Sequence, residues 1–237
     1  VRVSPATFEV IDAALRAARA TNGRFDPLLG ARMRELGYDR TYASLPTNRP
    51  GTPLATWHPG LWRQVRLDRE RSLVRVPVGG ALDLGGIAKG MAADAALAEL
   101  VAAGVPYALV NAGGDLAAYG VPQQGPGWPV GIDNVDLAGG AALLAHGAMA
   151  TSSTRGRRWR SGGIRRHHLL DPFTGLPMEG ELEQVTVTAA SCRQAEVAAK
   201  VAILGGVADA TAFVLQHGLT AALVTRDGQQ LRIGQWQ

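Results

Sequence analysis

Apolar positions recur at helical spacing soon after the first residues, where Phe8, Ile11, Leu15 and Ala18 fall on one face. Ser4 is suited to the N-cap, Pro5 to the first helical position, and Asn22-Gly23 to the end, so the spacing predicts a helix between them. In Gly23-Arg24-Phe25-Asp26-Pro27 the aspartate precedes proline where Asx capping is expected, and a short helix follows through Leu36. Residues 46–59, rich in Pro, Thr and Gly, read as an irregular connection. Alternation from Val65 to Val78, broken at Asp68-Arg69-Glu70-Arg71, predicts a hairpin. An Ala-rich helix is expected from Ile87 to Ala103, stopped by Gly104, and then a strand over 107–110. Further strands are predicted at 128–132, 141–149, 184–190, 219–225 and 231–236. Ser191 caps a helix ending at Gly205-Gly206, and another helix spans 207–217.

Two glycine pairs interrupt this pattern beside acidic residues. The first lies in Leu82-Asp83-Leu84-Gly85-Gly86-Ile87-Ala88-Lys89-Gly90, a strand-to-helix passage. Glycines there let backbone approach a ligand, and the N–H groups of a helix start attract anions, which suits a phosphate-bearing guest. Lys89 adds a positive charge, and Asp83 can hold a cation or cap backbone donors. The second pair is Asn111-Ala112-Gly113-Gly114-Asp115, where the glycines either leave room for a flat ring or pyrophosphate or make a tight bend between strands. Thr151, Ser152 and Ser153 form a hydroxyl run able to bind phosphate or ribose oxygens, with no Gly-x-Ser-x-Gly elbow around them. His167-His168, followed by Asp171-Pro172 and Thr174-Gly175-Leu176-Pro177, offers a histidine near a carboxylate and a rigid turn, the minimum for acid/base chemistry. Glu196 and Lys200 lie four apart on one helix face, where an ordinary salt bridge would contribute roughly 0.2 to 0.5 kcal/mol.

Composition narrows the partners. The chain has 237 residues, 46% hydrophobic and 19% charged, with thirty glycines, enough for a substantial core and many turns. One compact unit spanning residues 1–237 is expected. The net charge of +4 is concentrated in Arg155, Arg157, Arg158, Arg160, Arg165 and Arg166. Aromatic residues for base stacking are scarce, so an anionic small molecule is preferred over nucleic acid. Cys192 is alone, which excludes an internal disulfide and a cysteine-built zinc site. No apolar run reaches the length of a membrane span. The chain opens directly on a helix start, so an upstream segment carrying any export signal or anchor is expected, and the compartment, bacterial cytoplasm or its extracytoplasmic side, stays open.

Taken in order, five separated motifs resemble the ApbE-type FAD:protein FMN transferases: Asn22-Gly23-x-Phe25-Asp26-Pro27, the Asp83 to Gly90 string, Asn111 to Asp115, Ala150-Thr151-Ser152, and His168 to Pro177. The resemblance implies an α+β fold of mixed or antiparallel sheets packed with helices. It implies a magnesium-dependent reaction that splits FAD, releases AMP and attaches FMN to a threonine or serine of an acceptor flavoprotein. Hydrolysis of FAD to FMN and AMP is the alternative activity, and a non-catalytic flavin-binding protein is the alternative of another class. The implied catalytic residues are His168, which activates the acceptor hydroxyl, with Lys89 and Lys200. Those implied to bind FAD are Asp83, Gly85, Gly86, Lys89, Asn111, Gly113, Gly114, Asp115, Thr151, Ser152, Arg155 and His168.

The sequence departs from the family pattern in three places. Glu196 and Lys200 stand where the family has an aspartate and a threonine that ligate magnesium with a backbone carbonyl matching Ala88. The expected metal set is therefore Ala88 and Glu196, with the Lys200 ammonium partly standing in for the ion. Ser153-Thr154-Arg155 replaces a Gly-Asp-Tyr, so Arg155 is expected to stack on the flavin in place of an aromatic ring. An early strand and a Met-Gly-Thr-like motif of the family have no counterpart here.

Overall fold

The computed structural model describes residues 1–46, 48–137 and 140–236. The chain begins with helix α1 (Pro5–Ala20), the short α2 (Gly30–Glu35), and strands β1 (Arg66–Asp68) and β2 (Leu73–Arg75). Helix α3 (Ala88–Ala102) follows, then β3 (Ala108–Ala112), β4 (Asp115–Tyr119), β5 (Trp128–Val130), β6 (Ala142–Leu144) and β7 (Gly147–Ser153). Four short strands come next: β8 (Arg158–Ser161), β9 (Ile164–His167), β10 (Leu170–Asp171) and β11 (Leu176–Pro177). The chain continues through β12 (Leu182–Ala189), α4 (Cys192–Leu204), α5 (Gly206–Gln216), β13 (Thr220–Thr225) and β14 (Gln230–Ile233). Among the described residues the pairings between these strands are antiparallel, so the fold is α+β with antiparallel sheets and packed helices, as expected. No described helix is long and apolar enough to cross a membrane.

The chain divides into two compact units, Val1–Leu84 with Thr154–Glu179, and Gly85–Ser153 with Gly180–Gln237. In unit 1 the predicted first helix forms for the predicted reasons. The Ser4 hydroxyl accepts from the Thr7 N–H at 3.2 Å, and Phe8, Ile11, Leu15 and Ala18 are buried. The helix ends as Asn22 and Gly23 turn to positive φ, +50° and +82°. Asp26 caps locally, its Oδ1 accepting from the Leu28 N–H at 2.8 Å. Leu29, Met33, Leu36, Trp159 and Leu170 make a core cluster, with the Trp159 indole donating to the Leu36 carbonyl at 2.7 Å.

Unit 2 is built on a six-stranded sheet in the order β14-β13-β12-β7-β4-β3. One cluster on it is of small side chains, Ala93 of α3, Ala117, Ala148, Ala150, and Cys192 and Ala195 of α4. A second joins Leu116, Ala118 and Met149 to Ile132, Ala142 and Leu144. Because successive strand residues point to opposite faces, Leu116 and Ala118 lie on one side and Ala117 on the other. Small residues let α3 and α4 come close. A Cβ on Gly90 would lie 2.6 Å from the Cys192 carbonyl oxygen, so only glycine fits that crossing.

The structure corrects four expectations. The predicted strand over 141–149 is two strands. Ala145 and His146 separate β6, which pairs with β5, from β7 in the large sheet, which opens on Gly147 at φ +104°, a change of partner that alternation cannot reveal. The hydroxyl run lies within β7 instead of after it. Strand β4 and the β8/β9 hairpin were not anticipated, because the first is nearly continuous in apolar residues and the second is dominated by arginines. The closing strand is Gln230–Ile233, and Trp236 lies beyond it, its indole donating to the Ala221 carbonyl at 3.2 Å.

Candidate functional site

The boundary between the units falls between Leu84 and Gly85, inside the first glycine motif. Unit 2 holds most of the candidate residues. Lys89 stands in the first turn of α3, Asp115 opens β4, Thr151 is on β7, and Glu196 and Lys200 are on α4. The Lys89 ammonium makes ion pairs with Asp115 Oδ2 and, at 2.9 Å, with Glu196 Oε1. Glu196 Oε2 accepts from the Gly90 N–H at 2.8 Å. Asp115 Oδ1 accepts from the Thr151 N–H at 3.4 Å, and the Thr151 and Thr186 hydroxyls bond to each other at 2.8 Å. The result is one ammonium held between two carboxylates on three different elements.

Burial decides what this cluster can do. The Asp115 and Glu196 side chains are 3% and 6% exposed, whereas Lys89 is 36% exposed. The carboxylates are thus fixed inside the protein, while the side chain that carries the cation is partly exposed. A charge pair this dry persists because each member compensates the other. Lys200, 8% exposed, is a second buried cation on the same helix as Glu196. Glu196 is accordingly used by α3, through Lys89 and Gly90, in addition to any interaction along its own helix.

Glycine and aspartate neighbours keep the cluster in place. Asp94, one helical turn beyond Gly90, accepts from the Cys192 and Arg193 N–H groups at 2.7 and 3.0 Å. These are free donors at the start of α4, so Asp94 caps from α3 the helix that carries Glu196. Its role escaped the sequence reading because the capped donors lie 98 and 99 positions away. Burial pushes the Cys192 thiol up to about 12, with Asp94 and Glu196 adding to the effect, so it is no nucleophile at neutral pH.

The second glycine pair has a conformational reason. Ala112 pairs with Asp115 across a two-residue turn in which Gly113 and Gly114 take φ +68° and +98°, as a primed hairpin turn requires. Asn111 Oδ1 accepts from the Gly114 N–H at 2.8 Å. A Cβ on either glycine would meet nothing within 4 Å, so positive φ demands glycine here. The turn delivers Asp115 to Lys89.

Unit 1 holds Asp83, Arg155 and His168. The Asp83 N–H donates to the Pro27 carbonyl at 2.8 Å, which joins two of the sequence motifs. The adjacent histidines differ: His167 Nε2 bonds the Met178 carbonyl at 3.2 Å, as a donor, and is thereby occupied structurally. His168 is half-buried just before the β10/β11 turn. Asp171 Oδ1 accepts from the Phe173 N–H at 2.8 Å, and the Asp171 carbonyl from the Gly175 N–H, also at 2.8 Å. Gly175 has φ +67° and lies against Trp57, whose indole donates to the Pro172 carbonyl at 2.9 Å. The turn after His168 is therefore rigid, as its Pro and Gly content predicts, but Asp171 supports the turn's own backbone.

For a divalent cation, Glu196 supplies a buried carboxylate whose Oε1 lies 2.9 Å from the Lys89 ammonium. A hard oxygen donor of this kind suits magnesium. No group of three His, Cys, Asp or Glu side chains able to hold a metal occurs among the described residues.

The ApbE family model matches residues 1–224. The FAD:protein FMN transferase of Rhodobacter capsulatus is 31% identical over 233 residues, covering 95% of this chain and 44% of the relative. That of Treponema pallidum (strain Nichols) is 30% identical over 220 residues, covering 84% and 59%. The chain spans about half the length of these curated relatives. The crystal structure of the ApbE protein of Thermotoga maritima matches with a TM-score of 0.83 and 28% identity, over 98% of this chain and 77% of that one. The flavin transferase ApbE from Vibrio cholerae, 21% identical, matches in fold with a TM-score of 0.75, over 98% and 76%.

Proposed function

The chain belongs to the ApbE family, and from that premise we propose that it transfers FMN from FAD to a threonine or serine hydroxyl of an acceptor flavoprotein. The acceptor oxygen attacks the FMN-side phosphorus, the pyrophosphate P–O bond breaks, and AMP leaves with the bridging oxygen. Phosphoryl transfer of this type depends on positioning and charge stabilisation more than on a protein nucleophile. The observation that carries the reading is the Lys89 ammonium, held by the buried Asp115 and Glu196 on a side chain that is itself partly exposed. The two carboxylates hold the Lys89 side chain in place, so that its ammonium is positioned to bind pyrophosphate oxygens.

The roles of the other residues follow the resemblance. His168, fixed beside a rigid turn, takes the proton of the acceptor hydroxyl. Asp83, Gly85, Gly86, Asn111, Gly113, Gly114, Thr151, Ser152 and Arg155 are assigned to FAD. Glu196 and the Ala88 carbonyl would hold magnesium, which supplies charge neutralisation at the pyrophosphate. The Lys200 ammonium on the same helix partly stands in for the ion.

The reading is tested by incubating the protein with FAD, magnesium and a candidate acceptor flavoprotein, then measuring AMP and the acceptor's intact mass. Transfer gives AMP and an acceptor heavier by one FMN phosphoester. Free FMN with an unmodified acceptor identifies a pyrophosphatase, and FAD bound without AMP release identifies a flavin-binding protein.

A further inference from the structure

The β8/β9 hairpin of unit 1 carries the densest positive charge of the chain, and the chemistry above leaves most of it unused. Its register sets Arg158 opposite His167 and Arg160 opposite Arg165, while Trp159 faces Arg166 and Ser161 faces Ile164. Cross-strand partners share a face, and neighbours along a strand alternate. Arg158, Arg160, Arg165 and His167 therefore share one face, and Trp159 and Ser161 the other. The second face is the packed one, with Trp159 and Ser161 buried. On the first, Arg158, Arg160 and Arg165 are exposed.

Like charges set directly opposite each other on a ribbon repel. Arg160 donates to the Gly163 carbonyl at 3.2 Å, which returns no charge. Arg157, Arg160 and Arg165 form no ion pair with a carboxylate among the described residues. We propose that this arginine face is a docking surface for an acidic segment of the acceptor protein, an inference that rests on the FMN-transfer reading.

Three features select that partner. β9 ends at His167, and the next residue is His168, so the basic face and the histidine assigned to the acceptor lie on one continuous backbone. Guanidinium groups bind carboxylates through two parallel hydrogen bonds, a geometry that side chains of Asp and Glu satisfy. The other polyanions need more than charge. Single-stranded nucleic acid stacks on aromatic rings, whereas Trp159 is buried and its indole is engaged with Leu36. A lipid surface needs an apolar face to insert, and Ile164 is the hairpin's one exposed large apolar side chain. An acidic stretch near the modified hydroxyl would be steered to the hairpin and would speed encounter, an effect that salt reduces.

The test compares the wild-type protein with R160E/R165E at about 0.15 M ionic strength. A fluorescein-labelled hexaglutamate peptide serves as the probe, with hexaglutamine as the control. The wild type binds hexaglutamate and not hexaglutamine, and the variant binds hexaglutamate at least about tenfold more weakly. R160Q/R165Q, which removes the charge without reversing it, falls between the two. FAD affinity, measured in the absence of acceptor, is equal in all three proteins, which also shows that the variants fold. Equal hexaglutamate affinity in wild type and variant overturns the proposal, as does tighter wild-type binding of phosphatidylglycerol vesicles or of an oligo-dT strand. Absence of AMP release by the wild type from FAD, magnesium and an acceptor flavoprotein counts against the transfer reading, and with it against the acceptor as partner, whatever the peptide result.

Discussion

Two cationic regions of this molecule are arranged in opposite ways. Lys89 is matched inside unit 2 by two carboxylates that are almost wholly buried. In the β8/β9 hairpin of unit 1, arginine faces arginine, and Arg157, Arg160 and Arg165 have no carboxylate among the described residues. A charge the fold compensates is part of the fold, so altering it alters stability and chemistry together. A charge the fold leaves uncompensated contributes little to stability and is available to something outside. Salt should separate them further, because exposed charges are screened within about 8 Å at physiological ionic strength and buried pairs much less.

The largest expected effect is that of Lys89→Ala. It leaves Asp115 and Glu196 buried without their common cation. A fully buried pair loses about 3 to 5 kcal/mol when broken, and partial exposure of Lys89 reduces this to roughly 2 kcal/mol. Urea unfolding of this variant beside Arg165→Ala, which should stay within about 0.5 kcal/mol of wild type, measures the contrast directly. Equal effects would break it. Next in size is Gly90→Ala, whose Cβ meets the Cys192 carbonyl oxygen at 2.6 Å. Overpacking of this sort costs about 1 to 3 kcal/mol, and the accompanying shift of α4 displaces Glu196, so AMP release falls as well.

Lys200→Thr sharpens the comparison from the side of the metal. Loss of an ammonium that partly stands in for the ion should raise the magnesium concentration for half-maximal AMP release by about tenfold, about 1.4 kcal/mol. An unchanged magnesium titration would remove Lys200 from the cation balance. The smallest effect concerns Cys192. Its folded thiol titrates at about 12 against an ordinary 9.0, so above pH 9 the unfolded state loses a proton the folded state keeps. Stability from this group is complete below pH 9 and is lost as pH rises toward 12, a slope that Cys192→Ala removes. A thiol reagent at pH 8 should label the protein only in urea.

Local chemistry was readable from the sequence and long-range pairing was not. Ser4, Asn22-Gly23 and Ser191 marked helix ends correctly because capping is decided within four residues. Gly113-Gly114 was left open between a ligand cradle and a bend, and positive φ at both residues accounts for the pair by the bend. The motifs identified Lys89, Asp115 and Glu196 as site residues, but not that they meet, since Lys89 and Asp115 are 26 positions apart and Gly90 and Glu196 are 106 apart. Gly90 read as part of a ligand-binding string, yet its missing Cβ is required by the crossing of α3 and α4. The arginine cluster was noticed as charge alone. Its strand register, which places Arg160 opposite Arg165, depends on a hairpin that no apolar alternation announces.

The most direct test of the central claim is chromatographic measurement of AMP formed from FAD, with an acceptor flavoprotein present, by the wild-type protein and by Lys89→Ala, across a magnesium titration. The account predicts AMP in equal amount to acceptor-bound FMN from the wild type and loss of AMP in the variant at every magnesium concentration. FAD bound by the wild-type protein without AMP release, or cleavage by Lys89→Ala at the wild-type rate, would contradict it.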